Sequence, residues 1–185
     1  MINFMQSLKI DNFNINNSSK LFLIAECGVN HNGKFSYAIK MIDEAAKAGF
    51  NAIKFQTFIP TLLVHPKTSL AQYQKKTEFK SQQDMLKKYT FSFDQFYKLK
   101  KYCIKKKIIF LSTPFDNKSA KFLDSINVPV FKVSSADLDN FHLLSYIKSF
   151  KKPMILSTGM ANQAKIDKTI KFLKLDKRKL ALMHC

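Results

Sequence analysis

The chain has 185 residues, 46% of them hydrophobic and 13% aromatic, which is typical of one globular domain with a well-filled core. It has no apolar run near the roughly 20 residues that a membrane-spanning helix needs, and residues 1–13 do not resemble a secretory signal. The formal net charge is +18, but Arg178 is the only arginine among 31 basic residues, which argues against a nucleic-acid partner because base-reading proteins use arginine heavily.

Residues 8–15 alternate apolar and polar side chains around Asp11 and Asn12, which predicts a small β-hairpin. We therefore expect residues 1–19 to form a hairpin and linker, and residues 20–185 to form the main α/β domain. The main domain opens with a β-α-β unit: a strand at 21–26, an amphipathic helix at 35–50 and a second strand at 51–58. Gly49 is the expected C-terminal cap of that helix.

The rest of the chain repeats the alternation of strand and helix. The connection 59–80 is long and polar, which is typical of a functional loop. Ser92 is a plausible N-cap for a long amphipathic helix. The further expected elements are a helix at 81–89, a strand at 108–113 broken by Pro114, a helix at 117–126, strands at 128–135 and 153–160, helices at 140–150 and 162–175, and a last strand at 179–185.

Six strands alternating with helices predict a parallel sheet with right-handed crossovers. Two topologies compete: an open doubly wound sheet, and an incomplete (β/α)8 (TIM) barrel of about six strands. Every predicted strand ends in polar side chains, and a barrel draws its site from all strand ends, whereas a doubly wound sheet gathers its site at one switch point. The chain also lacks GxGxxG and GxxxxGK[ST] motifs. The incomplete barrel is therefore the predicted fold.

Two lysines, Lys54 and Lys132, lie inside strands that should be buried on both faces, where a charge is costly unless it meets an anion. Either lysine alone could snorkel at a strand end. Together with hydroxyls at equivalent heights they predict a cradle for a phosphate or carboxylate. The hydroxyls are Thr113, Ser135 and Ser157, and two carboxylates, Glu26 and Asp137, are candidates for acid–base chemistry or electrostatic stabilisation.

Simpler interpretations exist for several of these residues. Glu26 could pair with a strand lysine in a purely structural role. Thr113 and Ser157 could be turn formers beside Pro114 and Gly159, and Asp137 could cap the helix that follows it. His31 is expected to support a turn, and His184 with Cys185 is weak evidence for a metal site. The three cysteines lack metal-type spacing and predict free thiols in a reducing cytoplasm.

Six ordered motifs make the sequence recognisable. It resembles the N-acetylneuraminate (sialic acid) synthase family, which includes legionaminate and pseudaminate synthases, over about residues 8–185. The motifs are IAECGVNHNG, NAIKFQTF, FLSTPFD, FKVSSADLDN, ILSTGM and the terminal MHC.

This resemblance implies condensation of phosphoenolpyruvate with an N-acetylated hexosamine such as N-acetylmannosamine, giving a nine-carbon nonulosonic acid and phosphate. It also implies a homodimeric complete enzyme and a divalent metal, Mn²⁺ or Mg²⁺, whose ligands lie outside this chain. Glu26 and Asp137 would be catalytic and Gln56 would contact the sugar. By the same resemblance, phosphoenolpyruvate would be held by Lys54, Thr113, Lys132, Ser135 and Ser157.

The sequence departs from the family at its end and at three other positions. Position 137 is often Glu, and Ser134 and Ala136 stand where glycines are common. The family's seventh and eighth strands, which carry metal-binding histidines, and its C-terminal antifreeze-like domain have no counterpart. We therefore expect the chain alone to be inactive or nearly so. Two other functions stay open: a non-catalytic basic protein that binds polyanions, and a phosphoenolpyruvate-using barrel synthase of the deoxy-sugar-phosphate type.

Overall fold

A computed structural model describes residues 7–16, 19–65, 68, 79 and 81–185. The described part begins with an antiparallel hairpin of β1 (Leu8–Ile10) and β2 (Phe13–Ile15), at the position predicted from the alternating pattern. Asp11, in the turn, has a φ of 52°, a left-handed conformation that Asp tolerates better than most residues. No described helix has the length and hydrophobicity to cross a membrane.

The first parallel sheet is the expected β-α-β unit extended by one strand. It contains β3 (Ile24–Gly28), β4 (Ala52–Thr57) and β5 (Ile109–Pro114), in that order. Helix α1 (Phe35–Lys47) buries Ala38, Ile42 and Ala45, and Gly49 follows its C-cap with a φ of 82°. The third strand of the main domain ends at Pro114 as predicted, with Pro114 itself as the last paired residue of β5. Proline is tolerated as the last residue of β5 because a strand end needs no further ladder bond.

Among the described residues, three helices lie between β4 and β5. They are α2 (Pro60–Leu63), α3 (Gln82–Tyr89) and α4 (Phe93–Lys105). Ser92 caps α4 as predicted, in a capping box with Gln95. Most of the connection 59–80, predicted to be a functional loop, lies outside the described residues.

The second parallel sheet contains β6 (Phe131–Val133), β7 (Met154–Ser157) and β8 (Leu180–Met183). Helices α5 (Asn117–Ser125), α6 (Phe141–Ser149) and α7 (Gln163–Leu173) precede the three strands in turn. Strand β6 is shorter than expected because the chain leaves the sheet into a 3₁₀ turn at Ser135–Asp137. Strands β5 and β6 are in contact, although they belong to separate hydrogen-bonded sheets. The predicted α/β class with parallel strands is confirmed.

Two apolar clusters lie on opposite faces of the parallel strands, as β4 shows. Ile53 and Phe55 point into the large core between strands and helices, whereas Ala52 belongs to a smaller cluster on the other face. Lys54 and Gln56 share that second face further along the strand. The hairpin completes the smaller cluster, which contains Leu8, Ile10, Ala52, Leu111, Val130 and Ile155. This cluster is the apolar floor beneath the polar strand ends.

Candidate active site

A cavity of about 330 Å³ opens at the carboxyl ends of the parallel strands, above that apolar floor. Both sheets contribute to it, because alternate residues of each strand point to the same side. Seven of the eight site residues predicted from the sequence line this cavity: Glu26, Lys54, Gln56, Thr113, Lys132, Ser135 and Ser157.

Lys54 lies at the β3–β4–β5 side of the cavity and is 8% exposed. Its Nζ atom is 2.7 Å from Glu26 Oε2 and donates a hydrogen bond to Thr113 Oγ1 at 3.3 Å. The strand registers produce this cluster, because Glu26 pairs directly with Lys54 and Gln56 pairs with Thr113. The buried ammonium is therefore anchored between a carboxylate and a hydroxyl.

Lys132 lies on the opposite side and is 5% exposed. Its Nζ atom donates to the Val133 carbonyl at 2.9 Å and to Ser157 Oγ at 2.5 Å. Burial, and next the charge of Lys54, lower the pKa of Lys132 to about 8. Among the described residues its hydrogen bonds go to neutral oxygens, so an anion in the cavity would supply the missing countercharge.

Gly159 follows β7 and brings Ser135 close to Cys185. A Cβ atom at Gly159 would lie 3.3 Å from Cys185 Cβ and 3.4 Å from Ser135 Oγ, so the absence of a side chain allows close packing here. From the sequence, Cys185 is only a weak metal candidate, whereas the structure places it in the cavity lining. A hydrogen bond with Ser157 is the main cause of the lowered pKa of the Cys185 thiol. Cys185 follows Ala181 and Met183 at the two-residue spacing of a strand, so the sequence could have predicted that it lies on the same face.

Gly28 separates Glu26 from Gln56 at the end of β3. Its φ of 54° and the register shift between Glu26 and Gly28 mark a local bulge. A Cβ atom at position 28 would lie 3.3 Å from Glu26 Oε1 and 3.5 Å from Gln56 Nε2. A side chain at position 28 would therefore push the Glu26 carboxylate by a few tenths of an ångström and come into contact with the Gln56 amide.

Asp137 is the predicted site residue that does not line the cavity. It ends the 3₁₀ turn after β6, and its Oδ1 accepts a hydrogen bond from Asn140 Nδ2 at 3.1 Å. Its Oδ2 is buried without a hydrogen-bond partner among the described residues. Burial raises the pKa of Asp137. Asn140 itself caps α6, so Asp137 supports the capping residue rather than capping the helix.

His31 is fully buried in the loop after β3 and supports a turn, as predicted. Its Nδ1 accepts a hydrogen bond from the Gly33 N–H at 3.1 Å, and its ring stacks on Phe91 with 4.1 Å between centroids. Burial lowers the pKa of His31 to about 4. His31 therefore ties the β3–α1 loop to the start of α4 and does not line the cavity.

A metal does not fit the described part of the chain. No group of three His, Cys, Asp or Glu side chains there could hold an ion. The pair of His184 and Cys185 therefore forms no such metal site with other described residues.

Comparison with known proteins relates the chain to sugar-acid synthases. A model of the NeuB family matches residues 41–185. The N,N'-diacetyllegionaminic acid synthase of Campylobacter jejuni is 36% identical over 171 residues, which are 90% of this chain and 51% of that protein. The N-acetylneuraminate-9-phosphate synthase of Drosophila melanogaster is 32% identical over 167 residues, 89% of this chain and 45% of that one. The chain thus spans about half the length of the curated relatives it matches.

Solved structures give the same relationship. The N-acetylneuraminic acid synthetase of Leptospira borgpetersenii, in complex with citrate, superposes with a TM-score of 0.85 at 32% identity. That match covers 97% of this chain and 59% of the solved chain. A truncated 3-deoxy-D-arabino-heptulosonate 7-phosphate synthase of Thermotoga maritima has a TM-score of 0.65 at 12% identity, covering 95% and 55%. The second likeness shows a shared fold alone.

Proposed function

This chain belongs to the NeuB family, and on that premise we propose that the protein condenses phosphoenolpyruvate with an N-acetylated hexosamine. The products are a nine-carbon nonulosonic acid and inorganic phosphate. The observation that carries this proposal is the convergence of two buried ammonium groups, Lys54 and Lys132, on one cavity.

The charges of the cavity favour a small polyanion. Burying a charge without compensation costs several kcal/mol. Glu26 compensates Lys54, whereas Lys132 contacts neutral oxygens among the described residues. Phosphoenolpyruvate carries a phosphate and a carboxylate, so it can meet both lysines at once. The hydroxyls of Thr113, Ser135 and Ser157 supply further donors.

The reaction forms a bond between C3 of phosphoenolpyruvate and the aldehyde carbon of the open-chain sugar. The aldehyde oxygen gains a proton, water adds to C2 and loses a proton, and phosphate leaves with cleavage of the C2–O bond. Lys54 and Lys132 stabilise the negative charge of the bound phosphoenolpyruvate during these steps, and then the charge on the departing phosphate. The divalent metal expected for the complete enzyme stays a prediction.

We assign the proton steps to Glu26, because it is the carboxylate of the described cavity and Lys54 holds it in place. Gln56 stands beside it across Gly28 and is positioned to contact the sugar. The catalytic role expected for Asp137 stays a prediction. Its carboxylate lies outside the lining, although it is two residues beyond Ser135, which lines the cavity.

We further propose that the six parallel strands belong to a (β/α)8 barrel, with residues 1–19 as a preceding hairpin and linker and residues 20–185 as the barrel segment. Strands β3 and β8 end the two sheets. A groove of about 510 Å³ that includes Ile24, Leu180 and Met183 lies beside them, where further strands would pair. The homodimer expected for the complete enzyme is likewise a proposal.

The test measures phosphate release from phosphoenolpyruvate by the intact protein with N-acetylmannosamine and Mn²⁺. We expect hexosamine-dependent release, and a loss of about 100-fold or more in Lys132→Gln, because removing one preorganised cation from such a site costs this much. Lys171→Gln is the matched control, since Lys171 is exposed on α7. Equal turnover in the two variants, or phosphate release that does not depend on the sugar, would overturn the proposal.

A further inference from the structure

Asp116 is a buried carboxylate just beyond the end of β5, and it is 8% exposed. Three hydrogen bonds from neutral donors reach it. The Ser119 N–H donates to Oδ1 at 2.8 Å, the Ser119 hydroxyl donates to Oδ2 at 2.7 Å, and the Ile59 N–H donates to Oδ2 at 3.0 Å. A carboxylate held in this way accepts charge-assisted hydrogen bonds, which are stronger than neutral ones.

Two of these bonds have a local explanation and the third does not. Asp116 is the N-cap of α5, and the bonds from Ser119 satisfy the first turn of that helix. If Asp116 only capped the helix, Asn or Ser would serve equally well at this position. The bond from Ile59 instead reaches 57 residues back along the chain, to the exit of β4. Asp116 therefore joins the exits of two neighbouring strands.

The tie from Asp116 to Ile59 extends the β4–β5 ladder beyond its last regular pair. The Phe115 N–H donates to the Thr57 carbonyl at 3.2 Å, and the hydroxyls of Thr57 and Ser112 are 2.7 Å apart in a buried hydrogen bond. Phe58 and Phe115 meet edge to face with 6.2 Å between centroids. The cavity-lining side chains Gln56, Thr113 and Phe115 stand on this joined segment.

We infer that Asp116 is a positioning residue that holds the Gln56, Thr113 and Phe115 wall of the cavity in its reactive geometry, through the Ile59 amide. This inference rests on the proposed function, in which Gln56 contacts the sugar. Asp116 does not line the cavity, so it acts through the strand exits and not on the substrate. Because Gln56 contacts the sugar in the proposed function, a shift of this wall should weaken sugar binding and appear in the KM for the sugar.

The substitution Asp116→Asn removes the hydrogen bond from the Ile59 N–H but keeps the N-cap of α5. The side-chain oxygen of Asn still accepts from the Ser119 N–H, but its NH₂ group faces the Ile59 N–H as a second donor, and two donors cannot bond. Ser92→Ala is the matched control. Ser92 caps α4 with a hydrogen bond from the Gln95 N–H at 3.2 Å and has no part in the cavity wall.

In the intact protein we expect Asp116→Asn to raise the KM for N-acetylmannosamine by about tenfold, which corresponds to about 1.4 kcal/mol. We expect kcat per folded molecule to change by less than about threefold. Amide hydrogen exchange of a peptide spanning residues 57–63 should rise in Asp116→Asn and stay unchanged in Ser92→Ala.

A KM for Asp116→Asn equal to that of Ser92→Ala, or unchanged exchange over residues 57–63, would overturn the inference. Absence of turnover in the wild-type protein would instead count against the proposed function itself. The two failures are therefore distinguishable.

Discussion

The Nζ atom of Lys54 lies 2.7 Å from Oε2 of Glu26, and the two residues are direct partners across the parallel β3–β4 ladder. Their exposures differ sharply, since the Lys54 side chain is 10% exposed and that of Glu26 is 56% exposed. The ammonium is thus held inside the cavity wall, while the carboxylate faces the open space. This arrangement lets Glu26 serve both as a partner for Lys54 and as a reactive group.

Glu26→Gln tests these two roles together. We expect turnover to fall by about 10²- to 10⁴-fold, the usual contribution of a general acid or base. We also expect sulfate to bind the cavity more tightly, by roughly threefold or more, because removing a negative charge next to two lysines increases the attraction for anions. Steady-state kinetics and calorimetric titration with sulfate measure the two effects.

Asp139→Asn is the control for Glu26→Gln, because Asp139 forms a salt bridge of 3.0 Å with Lys165 that does not involve the cavity. Removing this half-exposed pair should leave turnover and sulfate affinity as they are. Turnover in Glu26→Gln within a few-fold of the control would contradict a proton-transfer role for Glu26.

The pKa of Lys132, lowered to about 8 chiefly by burial, predicts proton uptake when an anion binds. At pH 8 about half of the Lys132 side chains are neutral, and a bound anion raises the pKa again, so binding should take up roughly half a proton per site. At pH 6.5 Lys132 is already protonated and uptake should vanish. Affinity should accordingly fall as the pH rises through about 8.

Calorimetric titration in buffers of different ionisation enthalpy measures this uptake. Sulfate is the suitable probe because it does not titrate near neutral pH. Lys132→Gln should abolish the uptake, whereas Lys171→Gln should keep it. A binding heat at pH 8 that does not depend on the buffer would show that Lys132 is not the titrating group.

Substitutions of Gly28 and Gly49 together test whether the sugar binds beside Gln56, with Gly49 as the control. Both have a positive φ, 54° and 82°, so alanine at either position should cost about 1–2 kcal/mol of stability. A Cβ atom at position 28 would press on Glu26 Oε1 and touch Gln56 Nε2, whereas nothing lies within 4 Å of one at position 49. We expect Gly28→Ala to raise the KM for the hexosamine by about fivefold or more, and Gly49→Ala to leave it unchanged. Equal KM values in two equally destabilised variants would argue against sugar binding beside Gly28.

Because His31 is buried, we expect the free energy of unfolding to fall in weak acid. Its pKa is lowered by burial from 6.5 to about 4, so the unfolded chain binds a proton that the folded chain does not take up. Stability from this group is complete above about pH 6.5 and is lost as the pH falls towards 4, by about 2 kcal/mol between pH 7.5 and pH 5. Urea denaturation at the two pH values measures the change.

His31→Gln should remove this part of the pH dependence. His142→Gln should keep it, because His142 is exposed on α6 and its Nε2 contacts Asn117 Nδ2. If wild type and His31→Gln lost stability equally between the two pH values, a buried neutral His31 would be ruled out as the cause.

Much of the site could be predicted because it depends on strand period alone. Lys54 and Gln56 are two residues apart on β4, so they share a face whatever the rest of the fold does. The same reasoning places Lys132 on the cavity face of β6. The strand period does not predict the position of Asp137, because β6 ends at Val133. Asp137 lies in the 3₁₀ turn that follows, where side chains no longer alternate as they do in a strand.

Cys185 and Asp116 were missed for different reasons. Cys185 follows Ala181 and Met183 at the strand spacing, and that period was visible in the sequence. The bond from Ile59 to Asp116 joins residues whose separation in the chain carries no local pattern. It depends on which strands become neighbours and on the order in which they pair.

By itself the sequence determined the alternation of strands and helices, the face of each strand that carries polar groups, and the family resemblance. These follow from hydrophobic period, helix caps and glycine positions, which act over a few residues. Tertiary structure alone decided that Lys132 bonds Ser157, that Lys54 is the strand lysine paired with Glu26, and that Asp137 lies outside the cavity lining. Such contacts are selected by the packing of distant segments into one core, and the free energy of that packing is a property of the whole assembly of strands and helices.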